Sequence, residues 1–162
     1  MVQVAERIDG TTITTLGGAP VNLGRRVESL TVNRTLTKDD NNTLFLCNKA
    51  ASLAITLPAI TSIDIGTRFE FYVQTAVSGG DLTITAQAAD LLKGNVTNYD
   101  TDSTNAVTFY APDGSDDLIT TLNGSTQGGV GKDMLSFTAI SATEWLVTGT
   151  VYATGSPATL FS

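Results

Sequence analysis

The chain has 162 residues and a mass of 16.9 kDa, with 16 acidic against nine basic side chains, a net charge of −7 and no histidine. That size fits one domain with a full core. The acidic balance excludes a nucleic-acid partner, since phosphate backbones need clustered Lys and Arg, and the lack of histidine removes Ser-His-Asp and Cys-His catalysis and imidazole metal sites. No apolar run approaches the ~20 residues of a membrane span, so no membrane partner is expected. Met1–Gly10 is charged and lacks the apolar core of a signal peptide, so the chain reads as made in a cytosol. Thr supplies about one residue in six, which suits the wet faces of strands. Charge is unevenly spread: residues 1–68 are nearly neutral, whereas residues 69–162 hold ten acids against Lys93 and Lys132 alone.

Residues 1–26 read as an extended arm. Gly10, Gly17, Gly18, Pro20 and Gly24 punctuate scattered apolar residues, and Thr11–Thr15 can pair only against something else. Such an arm orders by strand addition to a neighbour. From residue 27 strand signals become dense, and the body is expected to span 27–151. Leu53, Ile55 and Leu57 alternate, as do Phe69, Phe71 and Val73, with Arg68, Glu70 and Tyr72 on the opposite, solvated phase. Side chains alternate faces along a strand, so each run marks a half-buried strand.

The pattern predicts strands near Val27–Val32, Thr43–Cys47, Ala51–Leu57, Thr67–Thr75, Asp81–Gln87, Ala106–Ala111, Leu118–Leu122, Met134–Ile140 and Thr143–Val151. Ser78-Gly79-Gly80-Asp81 reads as a hairpin turn, as does Ser141-Ala142. Residues Asp90–Asn105 lack periodicity and read as a long excursion with one helical turn at Ala88–Leu92. Gly124–Gly131 reads as a flexible loop, and 152–162 as a tail leaving the body. No internal repeat stands out. Many short, closely spaced strands predict an all-β fold: an antiparallel β-sandwich, jelly-roll-like, or a barrel.

The search for chemistry returns little. Cys47 reads as a small buried hydrophobe with no partner to activate it. Glu70 and Glu144 fall on polar strand phases, where a solvated face is the simpler reading than a glycosidase pair. Asp100–Asn105 and Asp113–Asp117 offer oxygen ligands, but neither matches a calcium loop, and turns need the same residues. Gly128–Asp133 lacks the spacing of a phosphate-binding loop. No catalytic residue, metal site or cofactor is expected. The candidate partner contacts are Tyr72, on a polar strand phase, and the C-terminal apolar pair Leu160 and Phe161.

Five segments carry a family resemblance: Leu36-Thr37-x-x-Asp40 leading into Leu44; Ile55-Thr56-Leu57-Pro58; Gly66-x-Arg68-Phe69-x-Phe71; Thr83-Ile84-Thr85; and Ser141-x-Thr143-x-Trp145-Leu146-Val147-x-Gly149. Over about residues 35–150 the body resembles small β-rich virion proteins of tailed bacteriophages. The resemblance implies a capsid decoration, or cement, protein without enzymatic activity. It would form a homotrimer on the outer surface of the virion head, bound to the major capsid protein. Arg7, Arg25 and Arg26 would then be arm contacts to an acidic shell. Similar strand phrases occur in tail, collar and fibre modules, so an attachment role is the alternative.

Overall fold

In the computed structural model the described residues are 7–8, 12–14, 20–22, 25–87, 90–102, 106–113 and 117–162, with side chains described only from residue 25 onward. Three short strands, β1 (Arg7–Ile8), β2 (Thr12–Thr14) and β3 (Pro20–Asn22), pair antiparallel as a sheet of their own. Next come β4 (Arg26–Leu30), β5 (Arg34–Thr35), β6 (Thr43–Cys47), β7 (Ala51–Thr56), β8 (Arg68–Val73) and β9 (Gly79–Thr85). The last five are β10 (Leu91–Asp100), β11 (Val107–Tyr110), β12 (Ile119–Leu122), β13 (Met134–Ala139) and β14 (Glu144–Ala153). They form a seven-stranded sheet, ordered β11-β10-β14-β13-β8-β6-β4, and a four-stranded sheet, ordered β12-β9-β7-β5.

The all-β sandwich expectation holds, with mixed rather than purely antiparallel sheets. From β4 to β9 the chain alternates between the two sheets. Each pass lays a strand parallel to the one before, β4, β6 and β8 in the large sheet and β5, β7 and β9 in the small one. The result is a short coil whose inward rows stack, as in Leu30, Cys47 and Val73, or Ile55 and Ile84. The later strands add antiparallel pairs and close the sandwich. One apolar cluster joins both sheets, centred on Phe45, Phe69, Phe71, Phe137 and Trp145. Phe45 stacks on Phe71 at 5.5 Å, and Phe71 meets Phe137 edge-on at 5.6 Å, geometries that favour aromatic pairs.

The corners from small sheet to large share one design. Thr37-x-x-Asp40 and Thr61-x-x-Asp64 each form a single 3-10 turn. Asp40 Oδ2 accepts the Thr37 N–H at 2.9 Å, and Asp64 Oδ2 accepts the Thr61 N–H at 2.8 Å and its hydroxyl at 2.6 Å. An acid at this position satisfies the donors a short helical turn leaves open. Each turn exits through a left-handed residue, Asn42 (φ 59°) and Gly66 (φ 94°). The phrase Leu36-Thr37-x-x-Asp40-x-Asn42-Thr43-x-Phe45 thus recurs as Ile60-Thr61-x-x-Asp64-x-Gly66-Thr67-x-Phe69. This is the internal repeat that inspection of the sequence misses.

Three expectations are corrected. First, Leu91–Asp100 is no excursion but a ten-residue strand, parallel to β14 along its whole length. Its inward positions are Leu92, Gly94, Val96, Asn98 and Asp100, so its period is masked by polar and Gly residues. Gly94 (φ +102°) lies so close to β14 that a Cβ would come within 2.3 Å of the Val147 carbonyl oxygen. Of the expected helical turn, Ala88 and Ala89 lie outside the described residues, and Leu91 and Leu92 open the strand. Second, Ser78–Asp81 is no hairpin, because β8 and β9 belong to different sheets. Third, the tail does not leave the body. Leu160 and Phe161 are only 1% and 6% exposed, and the last residues pair with β12 through Thr121 N–H to Leu160 O at 2.8 Å and Ile119 N–H to Ser162 O at 2.8 Å.

The Gly-rich loop is organised by a residue inside the core. Asp133 is fully buried, and its carboxylate accepts the N–H groups of Gly129 (3.0 Å), Gly131 (3.0 Å) and Tyr152 (2.8 Å). Asp133→Ala would strand three N–H donors, at roughly 3 kcal/mol or more in urea unfolding. Asp133→Asn, which keeps one acceptor oxygen, is expected to cost clearly less. Equal losses for the two variants would mean the carboxylate is not the loop's anchor.

Candidate functional site

The side chains proposed for partner contact separate into four places. Arg7 lies in β1, and its side chain is outside the described part. Arg25 and Arg26 bracket the start of β4, but both are engaged within the chain. Arg25 Nη1 donates to Glu70 Oε2 at 2.5 Å, and Arg68 also pairs with Glu70. Glu70 is therefore buried, at 5% exposed, rather than solvated as its strand phase predicts. Arg26 Nη2 pairs with Glu28 at 2.5 Å, and its Nη1 reaches Asp40 at 3.2 Å. Arg25 and Arg26 are thus paired within the body rather than free, although the Arg26 side chain stays 52% exposed. Arg26 lies on the inward phase of the edge strand β4, which brings it against Asp40 at the first corner, whereas Arg25, on the opposite phase, reaches Glu70 on the outer phase of β8.

Arg26, Glu28, Arg34 and Asp40 form one cluster over the end of the coil. Arg34 Nη2 donates to Asp40 at 2.7 Å and its other nitrogen pairs with Glu28. The Arg34 guanidinium lies 5.5 Å from the Phe45 ring centroid, a cation–π contact. A polar cap of this kind ends a stack of repeats without leaving its apolar rows open.

Leu160 and Phe161 are excluded from a partner role by their burial in the core. Tyr72 is half-buried on the outer face of the large sheet, flanked in its row by Leu46 and Met134. That row continues through Thr150 and Thr97 to Phe109, which is 71% exposed. The next row carries Tyr152, Tyr99 and Val107, and the two tyrosine rings stack at 5.8 Å. Beside them a shallow cleft of about 360 Å³ is lined by Thr101, Val130, Gly131, Lys132 and Tyr152. Lys132 holds a left-handed backbone (φ 72°) there, a conformation that costs energy outside Gly. A second exposed apolar spot, Ile63, Ile65 and Ile140, sits where Gly66 N–H bonds Ala139 O at 2.8 Å. Sequence reading missed Phe109, Tyr99 and the isoleucines, since single apolar residues in strands and turns give no signal of exposure.

Burial pushes the Cys47 thiol up to about 12, which keeps it protonated and unreactive. Among the described residues no group of three or more acidic or thiol side chains could hold a metal. Residues 103–105 and 114–116 of the two acidic loops lie outside the described part. No family model, characterised protein or solved structure matches the chain.

Two corner aspartates give stability opposite pH dependences. Asp90 Oδ2 accepts the Ile60 N–H at 3.1 Å. Burial raises its carboxyl above the usual value, offset in part by that bond and by the nearby Trp145 indole, whose N–H makes no well-formed hydrogen bond. The folded state binds this proton more tightly than the unfolded one, so the penalty is absent below pH 3.8 and complete above the raised native value. Asp64 is lowered by Lys38, at 2.6 Å, and by Thr61. Its contribution is present above the ordinary carboxylate value and lost as pH falls through the native one. Asp90→Asn, which keeps an acceptor for Ile60, is expected to raise the Tm at pH 7. The gain should vanish in acid, and a gain that persists there would rule out charge burial as its cause. Lys38→Met should lower the Tm at pH 7 and not in acid.

Proposed function

We propose that this chain is a structural virion protein of a tailed bacteriophage, a capsid decoration protein that bridges subunits of the expanded head. The observation that carries the reading is the division of the chain. A small sheet, β1–β3, pairs with neither body sheet, ahead of a body with a continuous apolar core. Strands that share no ladder with the body among the described residues have edges to offer the major capsid protein or a neighbouring copy. With Arg25 and Arg26 spent on Glu70, Glu28 and Asp40, contact with the shell falls to the arm itself and to the exposed isoleucine corner. Stabilisation would be passive: a protein that binds the expanded shell and not its precursor shifts the balance towards expansion. Three copies gathered at a three-fold position of the shell would repeat each weak contact three times.

The cleft beside the Tyr99–Tyr152 stack favours a second reading, a tail or fibre module that holds a sugar. An exposed aromatic face with a few polar groups around it is the usual form of a small-ligand site.

Purified protein mixed with precursor and expanded heads of the source phage should sediment with expanded heads alone, at fixed stoichiometry. Binding to neither would sink the decoration reading. Removing residues 1–24, which leaves Arg25 and its partner Glu70 in place, should give a body with unchanged Tm and no shell binding. Retained binding would show that the arm is not the contact. For the second reading, glycan-array binding that disappears in Tyr99→Ala is the expected result.

A further inference from the structure

The two body sheets have four edges, and three of them are protected. Strand β4 ends the large sheet with Arg26 and Glu28, both in ion pairs. Strand β5 ends the small sheet but is only two residues long, and the Asn33 side chain takes up the adjoining Ala54 N–H at 3.0 Å. Strand β12, at the other end of the small sheet, is covered by the C-terminal residues through Thr120 and Phe161. These are the devices by which proteins blunt exposed strand edges: charge, shortness and cover.

Strand β11, four residues long, carries no charge and has no cover among the described residues. It ends the large sheet, and no described residue pairs with its outer edge. Ala106-Val107-Thr108-Phe109-Tyr110-Ala111 carries no charge in a chain of net −7. Its outward side chains are exposed, Val107 at 51% and Phe109 at 71%. Tyr110 meanwhile is fixed from within, its hydroxyl donating to Pro157 O at 2.5 Å, so the strand is held in place with its free edge outward.

We infer that two copies of this chain associate edge to edge through β11, as an antiparallel pair that joins their large sheets into one. A second copy is the occupant this edge selects. The N–H and C=O groups of an antiparallel edge are complementary to the same edge turned by a two-fold rotation. The neutral segment is also where two acidic molecules can meet without facing like charges. The axis stands perpendicular to the sheet, so both copies place Val107 and Phe109 on one face, beside Tyr99. The contact is a property of the free protein and does not depend on the shell reading.

Sedimentation equilibrium on the full chain tests it. The expected mass is twice 16.9 kDa, falling to the monomer in Phe109→Lys and in Val107→Lys. Both positions are exposed, so circular dichroism should stay unchanged, while the Tm should lose the dependence on protein concentration that dimerisation gives the wild type. Thr35→Lys, on the protected β5 edge, should leave the dimer intact. A wild-type monomer at every concentration, a trimer, or a dimer that survives Phe109→Lys would each overturn the inference.

Discussion

The body depends on how the chain turns from the small sheet back to the large one. Each such turn must satisfy backbone donors that no ladder reaches, within a few residues and at the rim of the core. A carboxylate does this at Asp40 and Asp64, folding back on the Thr that opens the turn. The corners are also tied to one another. Lys38 from the first reaches Asp64 of the second, and Asp90, where the chain crosses from β9 to β10, accepts Ile60 N–H beside the second. The tie lines run along the coil, as the apolar rows do, so corner and core hold the same register. A slip of one residue would turn Phe69 and Phe71 outward and break the carboxylate links together.

The acidic residues therefore have a different meaning from the one their number implies. Asp40, Asp64, Glu70, Asp90 and Asp133 are all buried, and each is bound to backbone N–H groups, basic side chains or both. They are parts of the scaffold, and the remaining surface acidity comes from other positions. The same holds for the arginines. Arg25, Arg26 and Arg34 neutralise the carboxylates of the coil's open end.

What the sequence made legible was the alternation of large apolar residues. Phe69, Phe71 and Val73, or Leu135, Phe137 and Ala139, announce strands because every inward position is apolar. β10 was silent because two of its inward positions are Asn98 and Asp100 and another is Gly94. Asn98 is buried with its amide donating to Thr126 O at 3.0 Å, a partner distant in sequence that no local pattern reveals. Glycines misled in the same way. Gly79-Gly80 resembles a turn, yet Gly80 is there because a Cβ would lie 2.0 Å from Ser52 Oγ on the neighbouring strand. Leu160 and Phe161 looked exposed only because they come last. Of the candidate contacts, Tyr72 kept a place on an outer face, and the exposed aromatic groups around it became visible only once the strands were in register.

The order of the large sheet sets a condition on how the protein is made. β14 lies between β10 and β13, yet it leaves the ribosome after every other strand of that sheet. Until it arrives, β10 has only its hairpin partner β11, and the ten-residue ladder from Leu91 and Glu144 to Asp100 and Ala153 cannot begin. The coil from β4 to β9 can assemble as it emerges, whereas the other half must wait for a strand more than fifty residues downstream of its partner. Such long-range pairing is slow and leaves edges open in the interval. A chain cut short before β14 would keep its coil with β13 beside it and lose β10 and β11 from the large sheet, so a nascent chain can complete this fold only after β14 has been synthesised.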